Sequence, residues 1–166
     1  MEHLFQLRVT DSLHGTSLLD IGARDTKLAA IVKNEGFSKI TLIDKNELID
    51  GNTSEFEFIQ TDLETFQPEI KYDIIVCRHV LSFTEHPLKN LEKILSFGTT
   101  TYFTLFGIED ARKKLHLVTK DQIEKVLSKF SDLEIRYQSE SKFKGRLYNG
   151  DIIDWHLFTY ITKKTS

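Results

Sequence analysis

The stretch SLLDIGARDTKLAAIVKNEGFSKITLIDKN, residues 17–46, reads as strand, glycine turn, helix and second strand. Leu18, Leu19 and Ile21 form a short apolar run that Asp20 and Gly22 close. From Thr26 to Lys33 the chain carries helix formers, with Leu28, Ala29, Ile31 and Val32 at helical spacing. Asn34-Glu35-Gly36 stops that helix, because glycine accepts the left-handed conformation of a C-terminal cap. Lys39 to Ile43 is the next apolar strand, and Asp44 stands at its end. This is a βαβ unit, whose parallel strands need a crossover helix of right-handed sense.

Such a unit places a ligand. Open α/β sheets bind beyond the carboxyl ends of their strands, where strand order switches. A glycine there lets a ligand approach the backbone, and the free N–H groups of a helix N-terminus suit an anion. An acid ending the second strand accepts hydrogen bonds from both hydroxyls of a ribose. Asp20 and Asp44 stand close to the spacing of about 20 positions expected of a nucleotide-type site. At this point either a dinucleotide or another adenosine-containing cofactor satisfies the pattern.

Before this unit, Met1 to Thr16 offers Leu4, Phe5, Leu7 and Val9 to pack on the sheet. After Asp44, the polar run KNELIDGNTSEFEF leaves room for at most a turn or two of helix around Glu47 to Asp50, with Gly51-Asn52 as a turn signal. Phe56, Phe58 and Ile59 make a third strand ending at Thr61-Asp62, and Leu63 to Pro68 is a connection. Tyr72 to Val76 is apolar enough to be a strand covered on both faces, with Cys77-Arg78-His79 at its carboxyl end. Pro87 opens a helix whose apolar face is Leu88, Leu91, Ile94 and Leu95, and Gly98 ends it. Thr100 to Phe106 is a fifth strand. Thr119 and Gln122 form a capping box for a helix with Ile123, Val126, Leu127 and Phe130 on one face. Asp132 to Tyr137 and Asp154 to Thr162 are the last two strands, an antiparallel pair joined by a polar loop, Ser141 to Asp151, containing Asn149-Gly150.

Length and composition set bounds. At 166 residues the chain reads as one domain over residues 1–166. Hydrophobic residues at 40% and charged residues at 28% are ordinary for a globular protein. No apolar run approaches the length of a membrane span, and MEHLFQLRVT is not a secretory leader, so a cytoplasmic location is expected. One cysteine makes no internal disulfide and no zinc cluster, so no metal is expected. A net charge of −3 disfavours nucleic acid as the main partner.

The strand and helix order resembles the class I S-adenosylmethionine-dependent methyltransferases, and four places carry the resemblance. Leu18-Leu19-Asp20-Ile21-Gly22 is similar to the start of the D-x-G-x-G-x-G motif. Asp44 stands where that family's acid holds the cofactor ribose. Thr61-Asp62-Leu63 resembles the motif whose acid reaches the adenine amino group. Tyr72 to Leu81, YDIIVCRHVL, resembles F-D-x-V-x-x-x-x-V-L, with Pro87 following. The resemblance covers Leu18 to about Pro87 in motif and the later half in layout. It is closest to small methyltransferases of the broad type that includes the tellurite-resistance enzymes. It implies an α/β fold: a doubly wound, Rossmann-like, seven-stranded sheet, mostly parallel with an antiparallel C-terminal pair, and helices on both faces. It implies S-adenosylmethionine as cofactor, a small-molecule acceptor, and cofactor contacts from Asp20, Gly22, Arg24, Asp44, Asp62, Leu63 and Cys77. One departure stands out. Arg24 and Thr26 occupy the positions of the family's second and third glycines.

Each candidate also has a plainer reading. Gly22 is a turn residue as well as a cofactor contact. Asp20 can orient that turn, and Asp44 and Asp62 can simply cap strands. Cys77 is a small buried residue at the end of a strand. His79 and Tyr102 are the weak candidates for a catalytic base, and His79 also suits packing against the sheet. His116 is weaker still, and Trp155-His156 fits core packing better than catalysis. Lys142, Lys144 and Arg146, with Phe143 and Tyr148, read as a solvated hairpin or as a site for an anionic substrate or nucleic acid. Two rival functions stay open: a non-catalytic relative whose pocket Arg24 and Thr26 have closed, and a nicotinamide-cofactor enzyme. The missing G-x-G-x-x-G weighs against the latter.

Overall fold

A computed structural model describes residues 14–49, 54–112, 114–147 and 149–165. Its strands are β1 (Ser17–Ile21), β2 (Lys39–Asp44), β3 (Glu57–Gln60), β4 (Tyr72–Cys77), β5 (Gly98–Phe106), β6 (Leu133–Arg146) and β7 (Ile152–Lys164). Its helices are α1 (Lys27–Asn34), α2 (Pro87–Leu95) and α3 (Lys120–Leu127), with a 3-10 turn at Leu81–Phe83. The strands form one sheet in the order β3-β2-β1-β4-β5-β7-β6. The first five pair in parallel, and β7 runs antiparallel to both β5 and β6. Strand order reverses between β1 and β4, which makes their carboxyl ends the switch point of the sheet.

The period of two in strand side chains divides the core. Leu18, Leu42, Ile74 and Val76 face α1, where Ala29 and Val32 meet them. Their neighbours Leu19, Ile43 and Ile75 face the opposite side, under Leu91 and Ile94 of α2 and Ile123 of α3. Helices on both faces explain why β1 and β4 are apolar throughout rather than alternating. Each such buried Leu or Ile contributes about 1.5–3 kcal/mol relative to exposure.

Local chemistry sets the ends. Gly36, at φ 96°, closes α1, and its N–H donates to the Lys33 carbonyl at 3.0 Å. Pro87 opens α2, and the Thr119–Gln122 capping box opens α3. At the amino end of the sheet, Asp73 Oδ2 accepts from Thr16 N–H (2.7 Å), Ser17 N–H (3.0 Å) and Ser17 Oγ (2.9 Å). These bonds hold the Asp73 carboxyl below the usual carboxylate range, led by the Thr16 N–H. Asp73→Ala should therefore cost about 1–3 kcal/mol in denaturant unfolding at neutral pH. The folded pKa is lowered, so this stabilisation is present above the ordinary carboxylate range and is lost as pH falls through the folded value. The stability gap between the wild type and the Asp73→Ala variant should therefore narrow as pH falls below the ordinary carboxylate range; a constant gap would contradict the assignment.

Two sequence expectations need correction. Ser141–Arg146 is strand, not loop: it extends β6, pairing Lys142 with His156 through Arg146 with Ile152. The segment is polar because it forms an edge strand beyond the core, and the turn narrows to the residues around Gly150, at φ 94°. Glu47 to Ile49 carries no helical turn. The backbone there folds back instead, with Ile49 N–H donating to the Arg24 carbonyl at 3.0 Å. Gly98 does not end the helix: α2 stops at Leu95, with Ser96 as its C-cap, and Gly98 is the first residue of β5, while residues 63–68 are the expected connection. The expectations for Met1 to Leu13, Asp50, Gly51-Asn52 and Tyr148 lie outside the described residues.

Candidate functional site

Parallel register brings the predicted residues to one edge. Ile21 pairs with Ile43 on one side and Cys77 on the other, and Asp44 pairs with Gln60. Gly22, Asp44, Thr61-Asp62 and Arg78-His79 therefore follow one another along the carboxyl ends of β1, β2, β3 and β4.

Gly22 sits at φ 75°, which a side chain resists. Its N–H and that of Ala23 both donate to the Ile43 carbonyl, at 2.8 and 3.1 Å. The turn is thereby bent over the end of β2. A Cβ at Gly22 would lie 2.1 Å from Val80 Cγ2, so the chain leaving β4 fills the space that glycine leaves. Among the described non-glycine residues only His79 has positive φ. Arg24 and Thr26 thus need no glycine-like backbone. Arg24 is exposed, and Thr26 is the N-cap residue of α1 at φ −88°. The departure from the three-glycine motif costs this loop no strain.

Asp20 lies beneath the turn. It is 8% exposed, and no hydrogen-bond donor among the described residues reaches its carboxylate. Burial pushes its pKa up to about 7; Arg78 opposes this, while Asp25 and Asp44 add to it. A nearly buried carboxyl that no donor reaches favours its neutral form unless a cation comes to it. Asp44 is half-buried, and its Oδ1 accepts from Asn46 N–H (2.8 Å) and Asn46 Nδ2 (3.2 Å). No bond among the described residues engages its Oδ2. Asp62 is exposed and accepts from Glu64 N–H at 2.8 Å through Oδ1. Leu63 is buried, and its carbonyl accepts from Lys93 Nζ at 2.9 Å. Glu64 accepts from Glu85 N–H at 2.9 Å, so this loop is tied to the start of α2.

Cys77 is fully buried on the α2 face among Ile21, Leu81 and Phe103, and burial raises its thiol pKa. Its side chain is core, and its backbone is what reaches the edge. Tyr102 is buried on the opposite face, paired in register with Val76. His79 turns at φ 61°, where its N–H donates to Thr104 Oγ1 at 2.7 Å. Its ring lies 5.4 Å from Phe106 and 6.1 Å from Trp155. Burial, with Arg78 and Arg112 nearby, lowers its pKa to about 4, so it is neutral at pH 7 and a feeble base.

Sequence reasoning missed what surrounds His79. Arg112 forms a two-pronged ion pair with the fully buried Asp110, at 2.7 and 2.8 Å. Its guanidinium carbon sits 3.8 Å from the Phe106 ring centre and 3.9 Å from that of Trp155. Asp110 also accepts from His156 N–H at 3.1 Å, which ties this loop to β7. His156 is satisfied: Nδ1 accepts from Glu109 N–H at 3.2 Å, so Nε2 donates to Glu140 at 2.9 Å. An Asp-x-Arg spacing was the only sequence signal for the ion pair, and it is too common to single out. His116 is exposed and lines a separate open cleft of about 670 Å³ with residues 85–89 and Gln122.

A family model described as a methyltransferase domain matches residues 2–130. The chain belongs to the methyltransferase-domain family. Comparison with curated proteins finds no match. Solved structures agree in fold. The N-methyltransferase NodS from Bradyrhizobium japonicum WM9, in complex with S-adenosyl-L-homocysteine, is 18% identical with a TM-score of 0.68, over 99% of this chain and 86% of that one. TehB from Haemophilus influenzae is 14% identical with a TM-score of 0.72, over 98% of this chain and 62% of that one. The plantazolicin methyltransferase BpumL, in complex with S-adenosyl-L-homocysteine, is 17% identical with a TM-score of 0.66, over 96% and 83%. The methyltransferase resemblance read from four motifs is borne out by the family model, and the seven-stranded, mostly parallel sheet by the structure. Among the described residues no helix is long and apolar enough to cross a membrane.

Proposed function

We propose that residues 1–166 form one methyltransferase domain that binds S-adenosylmethionine at the β1–β4 edge and methylates a small molecule. The observation that carries this reading is Asp20: a nearly buried carboxyl that no donor among the described residues reaches, directly under a positive-φ glycine turn. The α-ammonium of the cofactor's methionine part is the cation this group lacks. Asp44 offers its Oδ2 to a ribose, and the 61–63 loop, fixed by Lys93, borders the base. Gly22 and the backbone at Cys77 shape the floor, and Arg24 is an exposed residue of the same loop. The donor set fits the cofactor, and none of it is a metal-ligand cluster.

When bound, the cofactor supplies a sulfonium methyl that is already activated. The protein's part is alignment and exclusion of water. His79, neutral and with a lowered pKa, is a weak candidate to take a proton, and Tyr102 is weaker because it is buried away from the edge. Acceptors that need no strong base are therefore favoured. The non-catalytic alternative rests on one feature, the seating of Val80 against Gly22, which narrows the approach to that glycine.

Asp44→Ala tests the ribose assignment. Calorimetric titration with S-adenosylhomocysteine should show affinity reduced by at least about 1 kcal/mol, or roughly fivefold. Unchanged affinity would remove Asp44 from the site.

A further inference from the structure

We propose that the aromatic wall of His79, Phe83, Phe106, Phe143 and Trp155, with Arg78 at its margin, is the acceptor subsite and takes a flat aromatic molecule bearing an anionic group. This rests on the methyltransferase reading above. The wall stands where β4 and β5 end. Gly107 and Ala111, beyond β5, donate to the carbonyls of His156 and Asp154, which holds the β6–β7 hairpin against that end. The hairpin brings Phe143 and Trp155 opposite each other in register.

The rings are continuous. Phe143 stacks on Trp155 at 5.8 Å and 18°. Trp155 meets Phe106 edge-on at 5.7 Å, and Phe106 meets Phe83 edge-on at 6.2 Å. His79 touches both Phe106 and Trp155. The two ends of this series are open to solvent: Phe83 is 56% exposed and Phe143 46%. Arg112 already lies over Phe106 and Trp155, so the rings of the series open to another flat ring are Phe83 and Phe143. The left-handed turn at His79, fixed by Thr104, is what brings the imidazole into the series. Such a backbone is held at a cost and is concentrated at functional sites.

Charge sets the second half of the assignment. The guanidinium groups felt at His79 are those of Arg78 and Arg112. Asp110 neutralises Arg112. Arg78 is exposed; its charge acts on Asp20, but among the described residues no carboxylate comes within ion-pair distance of it. An anionic group on the ring, such as a carboxylate, answers that cation.

Trp155 is the chain's one tryptophan, so its fluorescence reports this wall directly. The test titrates the protein, saturated with S-adenosylhomocysteine, with 4-hydroxybenzoate, benzyl alcohol and cyclohexanecarboxylate. The first should quench or shift the emission with an affinity at least tenfold above either of the others. Phe83→Ala and Phe143→Ala remove exposed rings, and each should weaken 4-hydroxybenzoate about 3- to 10-fold while leaving S-adenosylhomocysteine affinity unchanged. Cyclohexanecarboxylate binding as well as 4-hydroxybenzoate overturns the aromatic assignment, and benzyl alcohol doing so overturns the anionic one. Wild-type affinity in both variants overturns the subsite. Failure of S-adenosylhomocysteine itself to bind would instead overturn the parent reading, and the subsite with it.

Discussion

Gly22→Ala is expected to lower stability by about 2–5 kcal/mol, because two costs fall on one methyl group. The first is backbone: φ 75° costs an L-residue roughly 1–2 kcal/mol. The second is space: the new Cβ would stand 2.1 Å from Val80 Cγ2, and relieving such overpacking costs about 1–3 kcal/mol. At this chain length each kcal/mol shifts the melting midpoint by about 2–4 °C. A double variant separates the terms. Val80→Ala removes the clashing methyl and should restore the steric part but not the backbone part. The double-mutant cycle should then show a favourable coupling of about 1–3 kcal/mol. Strict additivity would mean that Val80 moves aside freely and does not fill the glycine turn.

Asp20→Asn is expected to weaken S-adenosylhomocysteine by about 1.5–3 kcal/mol, or roughly 10- to 150-fold at pH 8, the worth of a hydrogen bond to a charged group. Its pH behaviour is more diagnostic. Burial raises the folded pKa from 3.8 to about 7, so the free protein keeps a proton that the unfolded chain has released. The stability contributed by this group is thus full below the unfolded value and declines as pH rises from about 4 to about 7. A cationic ligand reverses the preference and draws Asp20 into its ionised form. Wild-type affinity should therefore climb with pH up to about 7 and then level, with proton release on binding below that point. The Asp20→Asn variant should bind weakly with a flat profile. Free of ligand, it should melt no lower than the wild type at pH 8, since it buries no charge. A variant that keeps the wild-type profile would show that another group titrates.

The framework was legible because it depends on strong local rules. The apolar runs of β1 and β4, the glycine stop of α1 and the Thr119 capping box each follow from one or two residues. The site acids were legible for the same reason: parallel register carries Asp20, Asp44 and Asp62 to one edge once the strands are known. What stayed hidden depends on partners distant in sequence. Val80 against Gly22, Thr104 under the His79 amide, and Arg112 between Phe106 and Trp155 are contacts no local pattern encodes. The second half of β6 was misread because its strand signal lies in pairing with β7 rather than in apolar alternation: Lys142, Lys144 and Arg146 look like loop until Ile152–His156 is laid beside them. Arg24 and Thr26 looked like damage to the glycine motif, yet only Gly22 in that loop has positive φ.

The most direct test is calorimetric titration of the purified protein with S-adenosylhomocysteine and, separately, with NADH at pH 8. A cofactor site at the β1–β4 edge predicts micromolar binding of the first, weakened in Asp20→Asn and Asp44→Ala, and no binding of the second. No heat with S-adenosylhomocysteine, or binding of NADH in its place, would contradict it.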